Sequence, residues 1–238
     1  MDYSEPCQYS VRLIEKLESL DTKNVLDFDL INKAIYWARK YHGEQKRMSG
    51  EPYYSHPLEV AYMVSDYKLK TDVIVASILH DIIEDTEVTA GMILDNFGWR
   101  IAQMVDMLTR DRPGGIKLSV EEIINNAYQV QDVEVIMIKL LDRLHNIQTL
   151  NYMDLKKVKI TIEESLKYFL IAAMDIELSS NYTKELVSLC IKNLSSPTSM
   201  SPTTGSNSSI LCPVFQNEID QILNQLQLTQ TKKTTHNC

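Results

Sequence analysis

The segment TDVIVASILHDIIEDT, residues 71–86, constrains this chain more than any other. It is apolar on almost every side, and a helix of that kind belongs at the centre of a globule. Yet it carries His80, Asp81, Glu84 and Asp85. A buried carboxylate without a partner is costly, and a buried imidazole without one is also unfavourable. The segment therefore calls for a compensating cation. Two readings of the His80-Asp81 pair are open at this point: a satisfied core histidine with ion-paired acids, or part of a metal or catalytic site.

The remaining pattern is helical. Leu13, Ile14, Leu17 and Leu20 predict a short amphipathic helix, and Leu30, Ile31, Ala34, Ile35, Trp37, Ala38 and Tyr41 predict another that stops at Gly43. Asp27 or Asp29 can cap that second helix, Pro57 suits the first turn of a third, and Thr71 or Asp72 can cap the apolar one. Further helices are expected over Ala90–Phe97, Trp99–Thr109, Val120–Tyr128, Val133–Leu150, Lys156–Ile176 and Thr183–Leu194. No pair of alternating strands joined by a tight turn is apparent, so the fold class is all-α. The stretch DRPGG at Asp111–Gly115 reads as a turn or loop, either an ordinary exposed connection or a gate over a site.

Composition narrows the class. The chain has 238 residues, 44% of them hydrophobic, enough for one good core. No apolar run reaches the ~20 residues of a membrane helix, and the first residues lack the basic and apolar blocks of a secretory signal. The formal charge of −8 argues against nucleic-acid and anionic-membrane partners. Cys7, Cys190, Cys212 and Cys238 are far apart, which fits a reduced, cytoplasmic setting without disulfides. After Leu194 the text turns to SSPTSMSPTTGSNSS, read as a disordered polar linker, followed by one short amphipathic tail helix over Val214–Leu226 that leaves room for a protein partner. The expected division is a folded domain at residues 10–194 and a low-complexity linker and tail at 195–238.

His56 ends the polar loop GEQKRMSGEPYYSHP, and Asp142 sits in the apolar run VIMIKLLDRLHN. With His80 and Asp81 they make a set of two imidazoles and two carboxylates, suited to a divalent first-row ion. Adjacent side chains on a helix diverge by about 100°, so His80 and Asp81 would have to converge across it.

The order H…HD…D resembles the signature of the HD phosphohydrolase superfamily. More narrowly, RMSGEPYYSHP, ILHDIIEDT, FG with a following LTR, and IKLLDRLHNIQTL resemble the hydrolase domain of the RelA/SpoT family over about residues 25–180. The resemblance implies an HD-domain helical bundle that removes the 3′-pyrophosphate of (p)ppGpp. It implies His56, His80, Asp81 and Asp142 as metal ligands, with Mn²⁺ or another divalent first-row ion bound. Glu84 and Asp85 match the pair near the attacking water, one turn beyond His80 and Asp81 respectively. Arg47 and Ser49 match the nucleotide-contacting loop, and Asn146 and Thr149 match positions near ribose and phosphates. The family usually has a basic residue after the arginine, where this chain has Met48, and Lys46, just before Arg47, stands as a substitute.

Lys46, Arg47, Lys139 and Arg143 are candidates to offset substrate charge. Lys139 and Arg143 read equally well as partners of the buried acids. His42 and His145 flank the set and are expected to act through structural hydrogen bonds. The length leaves no space for a synthetase domain, so a stand-alone hydrolase or half of a split bifunctional protein is expected. The alternatives are an HD phosphohydrolase for another phosphorylated nucleotide such as NADPH, and a catalytically weak regulatory remnant.

Overall fold

The computed structural model describes residues 3, 5–150, 155–176, 178 and 180–195. The expected linker and the tail helix over Val214–Leu226 lie outside these residues. The order is α1 (Gln8–Leu20), α2 (Phe28–His42), α3 (Ser55–Val64), α4 (Thr71–Leu79), α5 (Ile82–Asp85), α6 (Ala90–Phe97) and α7 (Trp99–Leu108). A two-stranded ribbon, β1 (Asp111–Arg112) and β2 (Ile116–Lys117), precedes α8 (Val120–Gln129) and α9 (Val133–Gln148). Then come α10 (Leu155–Glu164), a π-helical stretch (Ser165–Phe169), α11 (Leu170–Asp175) and α12 (Ser180–Ser195). Among the described residues no helix is long and apolar enough to cross a membrane.

The core forms around α4, whose residues Val73 to Leu79 are all fully buried. Helices α2, α3 and α7 pack around it, and α3 also packs on α9, which α8 and α12 cover on other sides. Caps lock the ends. The Asp27 carboxylate accepts from the Leu30 amide at 2.9 Å, and α2 ends at Gly43, whose φ of +52° is left-handed and open to glycine without strain. Ser119 and Glu122 form a reciprocal capping box on α8. On α9 the Asp132 carboxylate accepts from the Val135 amide and is gripped by both terminal nitrogens of Arg100, at 2.5 and 3.0 Å.

The all-α expectation holds with four local corrections, one being that the helix expected over Lys156–Ile176 is α10, the π-helical stretch and α11. The apolar helix does not run through to Thr86: it stops at Leu79, and α5 starts at Ile82. Neither Thr71 nor Asp72 caps it; the N-cap is Lys70, without a side-chain cap, and the Thr71 hydroxyl accepts from the Asp27 amide instead. DRPGG is the turn of an antiparallel ribbon pairing Asp111 with Lys117 and Arg112 with Ile116. Two residues per strand are too few for an alternating pattern to be visible, and Gly114 and Gly115, both at positive φ, close the turn.

Candidate active site

The break in the central helix positions the cluster. His80 is the C-cap of α4, and Asp81, at φ −99° and ψ −5°, is the N-cap of α5. The chain leaves regular helix between them, and the two side chains meet instead of diverging. Asp81 Oδ1 lies 3.2 Å from His80 Nε2. His56, in the first turn of α3, brings Nε2 to 3.4 Å from Asp81 Oδ2 and 3.2 Å from Asp142 Oδ1. Asp142 comes from the middle of α9.

Hydrogen bonds decide how these groups present themselves. His80 Nδ1 is 2.7 Å from the Ser77 carbonyl, which can only accept, so Nδ1 carries the proton and donates. The lone pair of Nε2 then faces the oxygens of Asp81 and Asp142, and this buried nitrogen has no hydrogen-bond partner. An acceptor facing acceptors requires positive charge between them, supplied by a proton or a metal ion. Burial lowers the pKa of His80, but the Asp81 and Asp142 carboxylates outweigh it and raise the value to about 10. Asp81 and Asp142 are held well below the usual carboxylate range: burial opposes this, but His80 chiefly for Asp81 and Lys139 chiefly for Asp142 prevail. His56, His80 and Asp142 each offer a ligand atom within 4.8 Å of the others. These residues suit a divalent metal ion, which their nitrogen and oxygen donors would hold in a mixed set.

A cavity of about 580 Å³ opens on this cluster. It is lined by every residue expected at the site except His80, which is buried. Glu84 Oε1 accepts from the Arg110 amide at 2.6 Å. Burial raises the pKa values of both Glu84 and Asp85, and the nearby Asp81 charge adds to the effect. Arg47 reaches from the loop to α9, where one terminal nitrogen donates to Asn146 Oδ1 and Thr149 Oγ1, both at 3.1 Å. Asn146 in turn donates to Asp142 Oδ1 at 2.6 Å, so it is tied to the metal cluster as well as to the loop. The Ser49 hydroxyl donates to Glu51. Lys46 lines the cavity, and Met48 stands at its edge with 65% of its surface exposed. Lys139 is buried and pairs with Asp142 at 2.9 Å, whereas Arg143 pairs with Glu164.

The family described as HD domain matches residues 34–112, which hold His56, His80 and Asp81. The chain is 36% identical over 163 residues to the guanosine-3′,5′-bis(diphosphate) 3′-pyrophosphohydrolase of Aquifex aeolicus, covering 67% of this chain and 23% of that protein. It is 35% identical over 151 residues to the probable enzyme of the same description from Mycoplasma pneumoniae, covering 59% and 21%. A GTP pyrophosphokinase of Myxococcus xanthus is 38% identical over 151 residues, covering 60% and 20%. The chain carries an HD domain, similar to those of RelA/SpoT-type proteins. Its fold is shared by a metazoan ortholog of SpoT, with a TM-score of 0.50 at 18% identity over 79% of this chain and 97% of that one. The chain spans about a fifth of the length of the curated relatives it matches.

Sequence reasoning missed two contributors to this HD site, Tyr53 and Arg110, and left the partner of a third, His145, unnamed. The Tyr53 hydroxyl lies 3.3 Å from Asp81 Oδ2, and its ring stacks on His42 at 4.7 Å. Burial and the Asp81 charge push the phenol far above its ordinary pKa, so it remains a donor. His145 meets His56 Nδ1 to Nδ1 at 2.7 Å, a specific partnership behind a general expectation of hydrogen bonding. Arg110 lines the cavity and supplies the amide that holds Glu84. Neither Tyr53, one tyrosine among twelve, nor Arg110, beyond its place in LTR, gave a signal in the sequence.

Proposed function

We propose that this chain is a Mn²⁺-dependent guanosine-3′,5′-bis(diphosphate) 3′-pyrophosphohydrolase, converting (p)ppGpp to GDP or GTP and pyrophosphate in a cytoplasmic setting. The observation that carries the reading is a metal-type cluster of imidazoles and carboxylates beside Glu84 and Asp85 in one cavity, with Arg47, Asn146 and Thr149 joined across the same space. The names of the relatives point the same way. We assign the hydrolase unit to residues 10–194, with 195–238 as linker and tail.

In this reading His56, His80, Asp81 and Asp142 hold the ion. When bound, it supplies Lewis acidity that lowers the pKa of a water and offsets charge on the phosphorus oxygens. Glu84 and Asp85, with their raised pKa values, are matched to proton transfer closer to neutrality than ordinary carboxylates. One takes the proton of the attacking water; the other donates to the ribose O3′ as the O3′–P bond breaks and pyrophosphate leaves. Tyr53 and Asn146 orient Asp81 and Asp142. Arg47 offers a planar guanidinium for the base, and Ser49, Lys46 and Thr149 provide polar contacts to the nucleotide.

The test is product analysis of purified protein with ppGpp, with and without Mn²⁺, beside Asp81→Ala. GDP plus pyrophosphate, dependent on Mn²⁺ and absent from the variant, establishes reaction and site together. Full activity in Asp81→Ala sinks the assignment. A second reading, another phosphorylated nucleotide such as NADPH, is favoured by one observation: the exposed Met48 brings no charge to the cavity edge. Preferred turnover of that nucleotide in the same assay would displace (p)ppGpp.

A further inference from the structure

Between α10 and α11 the helix widens. Ser165–Phe169 is π-helical, and the Leu170 amide donates to the carbonyl of Ser165, five residues back. In an α-helix residues five apart point about 140° away from each other; the wider π turn brings them onto one face. Glu164 and Phe169 are five apart, and both meet Arg143 of α9. Glu164 Oε2 accepts from Arg143 Nη2 at 3.0 Å, and the guanidinium carbon sits 4.5 Å from the centre of the Phe169 ring. The Arg143 side chain is only 12% exposed, the Glu164 side chain 36%.

Arg143 and Glu164 both line the cavity, and Arg143 directly follows Asp142 in sequence. Two other cations there are committed differently: Lys139 to Asp142, a member of the metal cluster, and Arg47 to the neutral Asn146 and Thr149. Glu164 lies outside that cluster and is the carboxylate most easily released, because leaving Arg143 costs a half-exposed acid little solvation. Arg143 has no comparable freedom, since Phe169 holds its flat face. A phosphoryl group carries more charge than a carboxylate and offers three acceptor oxygens to the five guanidinium donors.

We propose that Glu164 occupies Arg143 in place of a phosphoryl group, and that a diphosphate-bearing ligand displaces this carboxylate to reach the guanidinium. The exchange makes Arg143 a specificity residue: ligands with too little negative charge do not displace Glu164. The inference rests on the reading of this cavity as a phosphate-processing site. The π turn is what lets one helix supply both the replaceable acid and the fixed ring.

The probe is inorganic pyrophosphate, titrated calorimetrically at fixed free Mn²⁺ into the full chain and four variants, three single and one double. Glu164→Gln keeps the shape and removes the charge, and should bind about tenfold more tightly, the equivalent of one charge-assisted hydrogen bond. Glu164→Asp keeps the charge but shortens the reach, and should bind nearly as tightly as Glu164→Gln. Arg143→Gln should lose at least tenfold in affinity and abolish the gain when combined with Glu164→Gln. Unchanged or weaker binding in Glu164→Gln overturns the proposal, as does a gain that survives Arg143→Gln. Wild-type behaviour of Glu164→Asp overturns it too, by showing a general charge effect instead of an occupied contact. Binding that follows the expected pattern in a protein that leaves ppGpp intact would leave the exchange standing and remove the substrate assignment.

Discussion

His80 is wholly buried, and its Nδ1 proton goes to the Ser77 carbonyl 2.7 Å away, which leaves Nε2 as the atom turned toward Asp81 and Asp142. With the pKa of the ring raised to about 10, the metal-free protein holds a proton there at neutral pH. A divalent ion must displace it, so binding should release about one proton per ion and strengthen as pH rises toward 10. Calorimetry in two buffers of different ionisation enthalpy measures this directly, and no proton release would contradict a doubly protonated His80 ring. Tyr53 acts by the same logic from the other side. Tyr53→Phe removes the donor 3.3 Å from Asp81 and should cut kcat about tenfold with KM nearly unchanged, in the range seen for groups that orient a metal ligand. At this scale the residue types were readable, since imidazoles and carboxylates in apolar helices are costly without a purpose. Tyr53 was not, because one tyrosine among twelve carries no pattern until the loop folds back on α5.

At the scale of elements, the break between α4 and α5 is the decisive departure from a uniform pattern. Apolar residues flank His80-Asp81 on both sides, from Val73 to Leu79 and at Ile82 and Ile83, and no glycine or proline marks the stop at Leu79. Convergence of Asp81 on two imidazoles from other directions outweighs the helix hydrogen bonds given up there. One cap, by contrast, was legible from local sequence: Asp27 caps α2, whereas Thr71 and Asp72 leave α4 uncapped. Asp132 has more than a cap to lose, because its carboxylate serves both the Val135 amide and the guanidinium of Arg100. Arg100 is about a quarter exposed, and Asp132→Ala strips it of one partner while Glu134 remains at 2.8 Å. The expected cost is about 2–3 kcal/mol, a lost cap plus a charge-assisted pair. It would be read as a lower urea midpoint at unchanged slope. A loss below about 0.5 kcal/mol would show that Arg100 simply transfers its grip to Glu134.

For the whole molecule, burial sets a dependence on acid. Burial, the largest influence, lowers the pKa of His42; it also lowers that of His145, with His56 and Arg47 assisting, to about 3. Both rings are neutral in the folded protein above the ordinary histidine value of about 6.5. Below it the unfolded chain takes up protons that the folded chain refuses, so stability present above pH ~6.5 is lost as pH falls toward 3. The melting temperature in the presence of a chelator should fall between pH 6.5 and 5, and His145→Gln should flatten the decline. An unchanged slope would place the titration elsewhere. From the sequence alone came the helical class, the apolar centre, the cap of α2 and the set of imidazoles and carboxylates placed in apolar segments. These follow from periodicity and spacing within a few turns, where each residue's environment is set by near neighbours. Only the tertiary structure decided that α3, α4 and α9 bring His56, His80 and Asp142 within 4.8 Å, that Arg47 spans to Asn146, and that a π turn sets Glu164 and Phe169 on Arg143. Those pairings join residues far apart in the chain, and their energy exists only once packing removes water and forces each buried charge to find its partner.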